Sequence, residues 1–354
     1  VYKRQILNGK ILHTAVVEEG GAITALVKSL FANDLGAKLD RLEAEHFRPS
    51  YGDILAVVAE DFDSRRAEYF AELDESGVLV CGGEEIALDA LKTAFCGRLE
   101  QVFPTTAPAY GQAEEENFVS KKIYVSRFKT AKPRVFIPVF PGTNCEYDTA
   151  RAFRRAGGDP HILVLKNLTP ADVAASCEAL VKEIDQSQIL MLPGGFSGGD
   201  EPDGSAKFIA AFFRNPAVAD AVNRLLNQRD GLALGICNGF QALIKLGLVP
   251  YGEIRPITEN DPTLTFNTIH RHQSMLVRTR VASNKSPWLS ECNVDDEHLI
   301  AISHGEGRFV CNDGLLQQLI NNGQVATQYV DLNCVPTMDC LLYTSPSPRD
   351  MRRS

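Results

Sequence analysis

The regular alternation of short apolar runs with amphipathic segments after residue 134 constrains the fold of this chain more than any other feature. Strands and helices in alternation form a parallel sheet that is covered by helices on both faces. In such sheets, binding and catalytic sites lie beyond the carboxyl ends of the strands. The pattern predicts strands at 135–140, 162–165, 189–192 and 232–234, and helices at 149–156, 171–184, 206–213 and 217–226.

The heptapeptide GICNGFQ (235–241) follows the last of these strands and opens onto an amphipathic run, which predicts a strand, a tight turn and a helix. Its G-x-C-x-G pattern is the thiol counterpart of a nucleophile elbow, in which the glycines permit a strained turn. Backbone N–H groups at a helix N-terminus favour a thiolate there. Cys237 is therefore a candidate nucleophile, and the alternative is an inert cysteine packed at a strand end.

The loop PGGFSGGD (193–200) follows the strand at 189–192 and is rich in glycine. With few side chains in the way, its N–H groups can approach a substrate carbonyl, and those of Gly195 and Asn238 would form a two-donor oxyanion hole. A phosphate-binding loop is a weaker interpretation, because the Lys-Ser/Thr ending of a P-loop is absent from this segment. A flexible connection is the other alternative.

Composition narrows the class of protein. A length of 354 residues predicts two or three domains. The net charge of −9, with no basic cluster among aromatic residues, argues against nucleic-acid binding, and no apolar run has the length of a membrane span. The nine cysteines form no C-x-x-C pair, and the first residues do not resemble a signal peptide, so we expect reduced thiols and a cytoplasmic enzyme.

The rest of the chain divides into a block at 6–103 and a linker at 104–133 that contains Pro104, Pro108 and three consecutive glutamates. The block is expected to be an α+β domain without an obvious catalytic cluster. Its predicted strands are 11–17 and 54–58, and its predicted helices are 22–31, 65–73 and 86–95. The ends, 1–5 and 340–354, resemble translated adapter sequence, and we expect them to be non-native; a disordered natural tail is the alternative.

Two motifs in this order, PGGFSGGDEPDGSAKF (193–208) and GICNGFQ (235–241), resemble the class I, or triad, glutamine amidotransferases. Together with FPGTNCEYDTARAF (140–153) and ISHGEGRF (302–309), the sequences of these motifs are similar to those of the glutaminase domain of the phosphoribosylformylglycinamidine synthase family. The resemblance covers 134–339 and implies a flavodoxin-like fold. More weakly, HTAVVEEGGAITALVKSLFANDLG (13–36) resembles the C-terminal α+β domain of the aminoimidazole-ribonucleotide-synthetase type, which implies the large, fused form of the enzyme.

The resemblance also implies a reaction. Cys237 would attack the side-chain amide of glutamine and release ammonia, which would pass across an intramolecular synthetase–glutaminase interface. There ATP, with Mg²⁺, would activate formylglycinamide ribonucleotide for conversion to the amidine in purine biosynthesis. The residues that would bind glutamine or its oxyanion are Gly194, Gly195, Phe196, Asn238 and Gln241.

The sequence departs from the family in the residues that would act as the catalytic base and its carboxylate partner. His304 and Glu306 have the H-x-E spacing of a triad pair, but the family places its pair in a later motif near the end of the protein. We therefore expect the catalytic histidine and glutamate beyond residue 339, and little activity from this chain alone, a C-terminal fragment. His304 and Glu306 as substitutes are the alternative.

Other candidates have weaker support. Cys145 also follows a predicted strand but lacks the second glycine of an elbow, and Asp200–Asp203 has a metal-like composition but better fits a helix cap. His270 and His272 are expected to be solvated or interface residues. A cysteine peptidase or deglycase on a similar sheet, and a non-catalytic scaffold, are the competing functions. The remaining cysteines have no catalytic context: Cys81, Cys96, Cys177, Cys292, Cys311 and Cys334.

Overall fold

The computed structural model describes residues 6–60, 62, 67–104, 113–121, 124–196 and 206–337. The chain divides into two compact units, Val1–Thr105 and Thr106–Ser354. Within the described ranges, no helix has the length and apolar character needed to cross a membrane. The segments 1–5 and 340–354 and the acidic segment 200–203 lie outside the described residues.

The first unit is an α+β structure with two sheets. Strands β1 and β3 form an antiparallel pair, and the other sheet has the order β4-β2-β5-β6. Its core joins α1 to that larger sheet through Leu26, Leu30, Leu39 and Leu79. The elements are β1 Ile11–Val16, α1 Gly21–Leu30, β2 Gly36–Leu39, β3 Ile54–Val58, β4 Glu72–Asp74, β5 Val78–Cys81, β6 Glu84–Ala87 and α2 Leu88–Cys96.

One helix prediction in this unit is wrong, and a second, 86–95, is correct except for its first two residues, since the helix begins at Leu88. The described end of the segment 65–73 contains no helix, and β4 there pairs antiparallel with β2. The segment 86–95 begins as strand β6, because Gly82 and Gly83 both have positive φ and close a two-residue hairpin between β5 and β6. Strand pairing with neighbours therefore overrides the local helical pattern.

The first half of the second unit contains the parallel sheet that the sequence predicts. Its strand order is β10-β9-β7-β8, and every neighbouring pair is parallel. Helix α4 begins with a capping box between Thr169 and Asp172, with Pro170 in its first position. The elements are β7 Arg134–Val139, α3 Glu146–Arg155, β8 Asp159–Val164, α4 Pro170–Gln186, β9 Ile189–Leu192, α5 Lys207–Phe213, α6 Pro216–Asn223, β10 Leu232–Gly235 and α7 Asn238–Leu246.

The second half of this unit is largely antiparallel, in a region where the sequence analysis assigns no elements. Strands β13, β12 and β15 form one sheet in that order, and β11 pairs with β14. Helix α7 contacts β11, so this half packs close to the Cys237 turn. The elements are α8 Leu248–Tyr251, β11 Thr263–Thr265, β12 Gln273–Val281, β13 Glu297–His304, β14 Arg308–Val310, α9 Asp313–Asn321 and β15 Thr327–Val330.

The described part of the predicted linker is attached to the second unit. Arg280 on β12 has 1% of its surface exposed, and its guanidinium donates to Asp295 Oδ1 at 2.8 Å and to the carbonyl of Glu116 at 2.9 Å. Phe118 N donates to the carbonyl of Ala282 at 2.8 Å. The segment before the parallel sheet therefore supplies hydrogen-bond partners that a buried guanidinium needs.

Candidate active site

Three loops meet at one edge of the parallel sheet because the strands that they follow are neighbours. Strand β9 lies between β7 and β10, and the loops after these strands carry Cys145, Gly194 and Cys237. A Cβ placed on Gly194 would lie 3.3 Å from Cys237 Cβ and 3.5 Å from Cys145 Sγ. Cys145 and Cys237 are thus both close neighbours of Gly194.

Cys237 lies at the apex of a strained turn. Its φ of 53° and ψ of −112° are unusual for a residue with a side chain, and its side chain is exposed at the N-terminus of α7. A Cβ on Gly239 would lie 1.9 Å from the Leu192 carbonyl oxygen, and one on Gly235 would lie 2.6 Å from the Gly239 carbonyl oxygen. Both glycines are required because backbone packs directly on backbone, and this packing presents the thiol to solvent.

Gly195 holds the second loop beside this turn. It has a φ of +136° and forms an antiparallel bridge with Thr143, and a Cβ there would lie 2.4 Å from the Gly142 carbonyl oxygen. Phe196 N donates to the same carbonyl at 2.8 Å, and the Phe196 side chain is half exposed. The remainder of the loop, 197–205, lies outside the described residues.

Two polar residues on α7 extend the site toward the antiparallel half of the unit. Asn238, 2% exposed, donates from Nδ2 to Gln241 Oε1 at 3.1 Å. Gln241 donates from Nε2 to the backbone carbonyl of Glu306 at 3.2 Å. The residues 304–307, which we call the HGEG loop, therefore lie against the first turn of the helix that follows Cys237.

His304 has a partner other than the thiol. Its Nδ1 lies 3.0 Å from Asn267 Oδ1, and among the hydrogen bonds of the described residues none joins His304 to Cys237. Burial, and then the neighbouring His272, lower the pKa of His304. Glu306 meets the site through its backbone carbonyl. His304 and Glu306, which are the alternative to a pair beyond residue 339, thus lie near the elbow helix.

Two further observations bear on the chemistry. Burial raises the pKa of the Cys145 thiol, and the charges of Cys237, Asp148 and Glu146 raise it further, so Cys145 is a thiol at neutral pH. Across the described ranges, no group of three or more His, Cys, Asp or Glu side chains could hold a metal ion.

Asn267 is a site-adjacent residue that sequence reasoning missed. It lies after β11, 1% exposed, and bonds to the HGEG loop. A single asparagine between two polar segments gives no signal in sequence, because its role depends on a loop almost forty residues later.

The parallel sheet, with a cysteine at a glycine-flanked strand-to-helix turn, defines a class I glutamine amidotransferase fold. A family model described as the CobB/CobQ-like glutamine amidotransferase domain matches residues 132–351. The chain belongs to this family.

Curated relatives carry a more specific name. The phosphoribosylformylglycinamidine synthase subunit PurQ of Methanococcus maripaludis is 32% identical over 204 residues, covering 56% of this chain and 67% of that protein. The same subunit of Sulfurimonas denitrificans is 34% identical over 206 residues, covering 56% of this chain and 76% of that protein. Among solved structures, PurLQS from Thermotoga maritima matches with a TM-score of 0.40 and 26% identity, covering 58% of this chain and 77% of that chain.

Proposed function

We propose that the second unit releases ammonia from glutamine with Cys237 as nucleophile. The observation that carries this proposal is the exposed thiol at a strained turn, directly beside the Gly194 loop. The Cys237 thiolate attacks the side-chain amide carbon, and the N–H groups of Gly195 and Asn238 stabilise the resulting oxyanion. The amide nitrogen accepts a proton from the protonated base as the C–N bond breaks, and it leaves as ammonia. Water, which gives a proton to the base, then hydrolyses the γ-glutamyl thioester to glutamate and free thiolate.

The base in this proposal is a histidine other than His304. The His304 Nδ1 proton is directed to Asn267, which leaves Nε2 as the basic nitrogen, but no hydrogen bond among the described residues joins His304 to Cys237. We propose that the base and its carboxylate come from the later H-x-E motif that the resemblance implies. The gene read beyond codon 339 tests this, and robust glutamine hydrolysis by the present chain that His304→Ala abolishes would contradict it.

We further propose that the ammonia serves formation of the amidine from formylglycinamide ribonucleotide. The support is the name of the relatives, which align with about half of this chain, together with the α+β unit that precedes the aligned part. In this proposal the first unit belongs to the synthetase and the enzyme is the large, fused form in the cytoplasm. ATP and Mg²⁺ would belong to the synthetase reaction, and we assign no described residue to hold them.

This pathway proposal has its own test. The protein expressed from its complete gene should form the amidine with either glutamine or ammonium as nitrogen donor, and its Cys237→Ala variant with ammonium alone. Equal use of glutamine by the variant would contradict a role for Cys237 in supplying ammonia.

The nucleophile can be tested on the present chain with a chloroketone analogue of glutamine. We expect one label, on Cys237, with saturable kinetics and protection by glutamine. Cys145→Ser is the matched control, because it removes the neighbouring thiol and should leave labelling intact, whereas Cys237→Ala should abolish it. Equal labelling of several cysteines without protection by glutamine would favour a scaffold with an incidental cysteine. Protection by a peptide would favour a peptidase, and protection by an α-oxoaldehyde adduct would favour a deglycase.

A further inference from the structure

Asn267 is tied to the HGEG loop by an unusual number of hydrogen bonds for one side chain. Its Nδ2 donates to the carbonyls of Arg271 and His304 at 3.0 and 2.9 Å. Its Oδ1 accepts from His304 Nδ1 at 3.0 Å and from Gly307 N at 3.4 Å. The backbone N of Asn267 donates to the Gly305 carbonyl at 2.9 Å. One residue therefore holds both ends of the loop.

These bonds also determine the protonation of His304. Because Nδ2 faces two carbonyls, the Asn267 oxygen must face the imidazole, and an amide oxygen only accepts. Nδ1 of His304 therefore carries the proton. Burial favours the neutral ring, so the bond to Asn267 is maintained without a buried charge.

The loop held in this way orients the side chain of Gln241. The Glu306 carbonyl accepts from Gln241 Nε2, which leaves Gln241 Oε1 directed toward Asn238 Nδ2. Gln241 lies one helical turn beyond Cys237, and its backbone N donates to the Cys237 carbonyl at 3.0 Å. A continuous set of hydrogen bonds thus runs from Asn267 through the loop to the residue that follows the thiol.

We infer that Asn267 is a positioning residue for glutamine recognition: it holds the HGEG loop so that the Glu306 carbonyl fixes the Gln241 amide beside Cys237. This inference rests on the proposed function. Asn267 touches neither the thiol nor the substrate in this account. It acts through the orientation of Gln241.

The test compares two probes of Cys237 in the full chain. A chloroketone analogue of glutamine reports recognition of glutamine, and iodoacetamide reports only the accessibility and reactivity of the thiol. In Asn267→Ala we expect the half-saturating concentration of the chloroketone to rise about tenfold, the effect of one misplaced hydrogen bond to a ligand. The iodoacetamide rate should stay within about twofold of the wild-type rate, which a general structural defect would not allow.

Gln241→Ala should show the same rise, and the double variant should show no further rise, because both changes remove one interaction. If Asn267→Ala does not fold, Gly307→Ala tests the same inference. Its Cβ would displace the His304 ring and should raise the half-saturating concentration of the chloroketone similarly. Gly314→Ala on α9 is the control, because its Cβ would make only an ordinary contact with Asn312 at 3.4 Å.

Three outcomes are distinct. Wild-type labelling that neither saturates nor is prevented by glutamine overturns the proposed function. Normal glutamine protection in wild type, with an unchanged half-saturating concentration in the folded Asn267 or Gly307 variant, overturns the role of Asn267 alone. Additive effects in the double variant overturn the route through Gln241.

Discussion

The α-carbon of Gly239 lies so close to the backbone of Leu192 that a Cβ would be 1.9 Å from the Leu192 carbonyl oxygen. Gly239→Ala should therefore destabilise the second unit by about 3 kcal/mol, at the upper end of overpacking costs, since backbone cannot move aside as a side chain can. Gly314→Ala is a matched control, because Gly314 is likewise the second residue of its helix. Denaturant unfolding followed by fluorescence of Trp288, the single tryptophan, measures both. Equal midpoints would contradict the close packing.

The two thiols beside Gly194 should differ in reactivity with pH. Because burial raises the pKa of Cys145, iodoacetamide at pH 7.5 should label Cys237 in preference, and labelling of Cys145 should increase as the pH is raised. The charge of Cys237 also raises the pKa of Cys145, so Cys237→Ser should shift Cys145 labelling to lower pH. Peptide mass spectrometry across a pH series measures this. An unshifted profile would show that the two thiols are not coupled.

His304 should make stability depend on pH in the acidic range. Its pKa is lower in the folded protein than the ordinary value of 6.5, so the unfolded chain binds a proton first as pH falls. The stability that it contributes is therefore complete above pH 6.5 and is lost as pH falls to its folded pKa, by at most about 1.4 kcal/mol per pH unit. Unfolding midpoints from pH 7.5 to 5 should fall less steeply in His304→Gln. Parallel slopes in both proteins would assign the loss to other groups.

Asp261 should stabilise the segment between α8 and β11. The hydrogen bond from Tyr251 lowers the pKa of Asp261 to about 2, with further bonds from Thr258 and the charge of Arg255. Asp261→Asn should cost about 2 kcal/mol at pH 7, the value of hydrogen bonds to a charged group. Since the folded pKa is lowered, this stability is present above pH 3.8 and is lost as pH falls toward 2.

The same variant offers a second, spectroscopic measurement. Burial and the hydrogen bond to Asp261 raise the pKa of Tyr251 to about 12. Asp261→Asn should therefore shift the ultraviolet titration of the Tyr251 phenol to lower pH. Asp220→Asn, at an exposed position, is the control for loss of one negative charge. An unchanged tyrosine titration would contradict the contact.

Sequence patterns predicted the parallel sheet well because each of its strands is a short apolar run between helices. Strand β9, Ile189–Leu192, has the predicted bounds, and all four of its residues are buried. The elbow was predictable because Gly235 and Gly239 both flank Cys237 in the sequence. The pattern is visible although the Leu192 carbonyl that requires Gly239 lies on the neighbouring strand β9, far away in sequence.

The antiparallel half and the role of Asn267 were not predictable because they depend on contacts that are distant in sequence. Strand β12 pairs with β13 about twenty-five residues later, and its exposed residues include the apolar Met275 and Leu276, which break the alternation expected of a strand. The partner of His304 lies thirty-seven residues before it. Neither relation has a periodic signal, so the bond between His304 and the Asn267 amide could not be predicted from the sequence.

The buried guanidinium of Arg280 has a consequence for how this domain can be separated from its neighbour. Its partners include the Glu116 carbonyl, eighteen residues before the first strand of the parallel sheet. A recombinant domain that begins at Arg134 would lack that hydrogen-bond partner, and we expect it to be less stable than one that begins before residue 116. A boundary before residue 116 keeps Glu116 and Arg280 in one polypeptide.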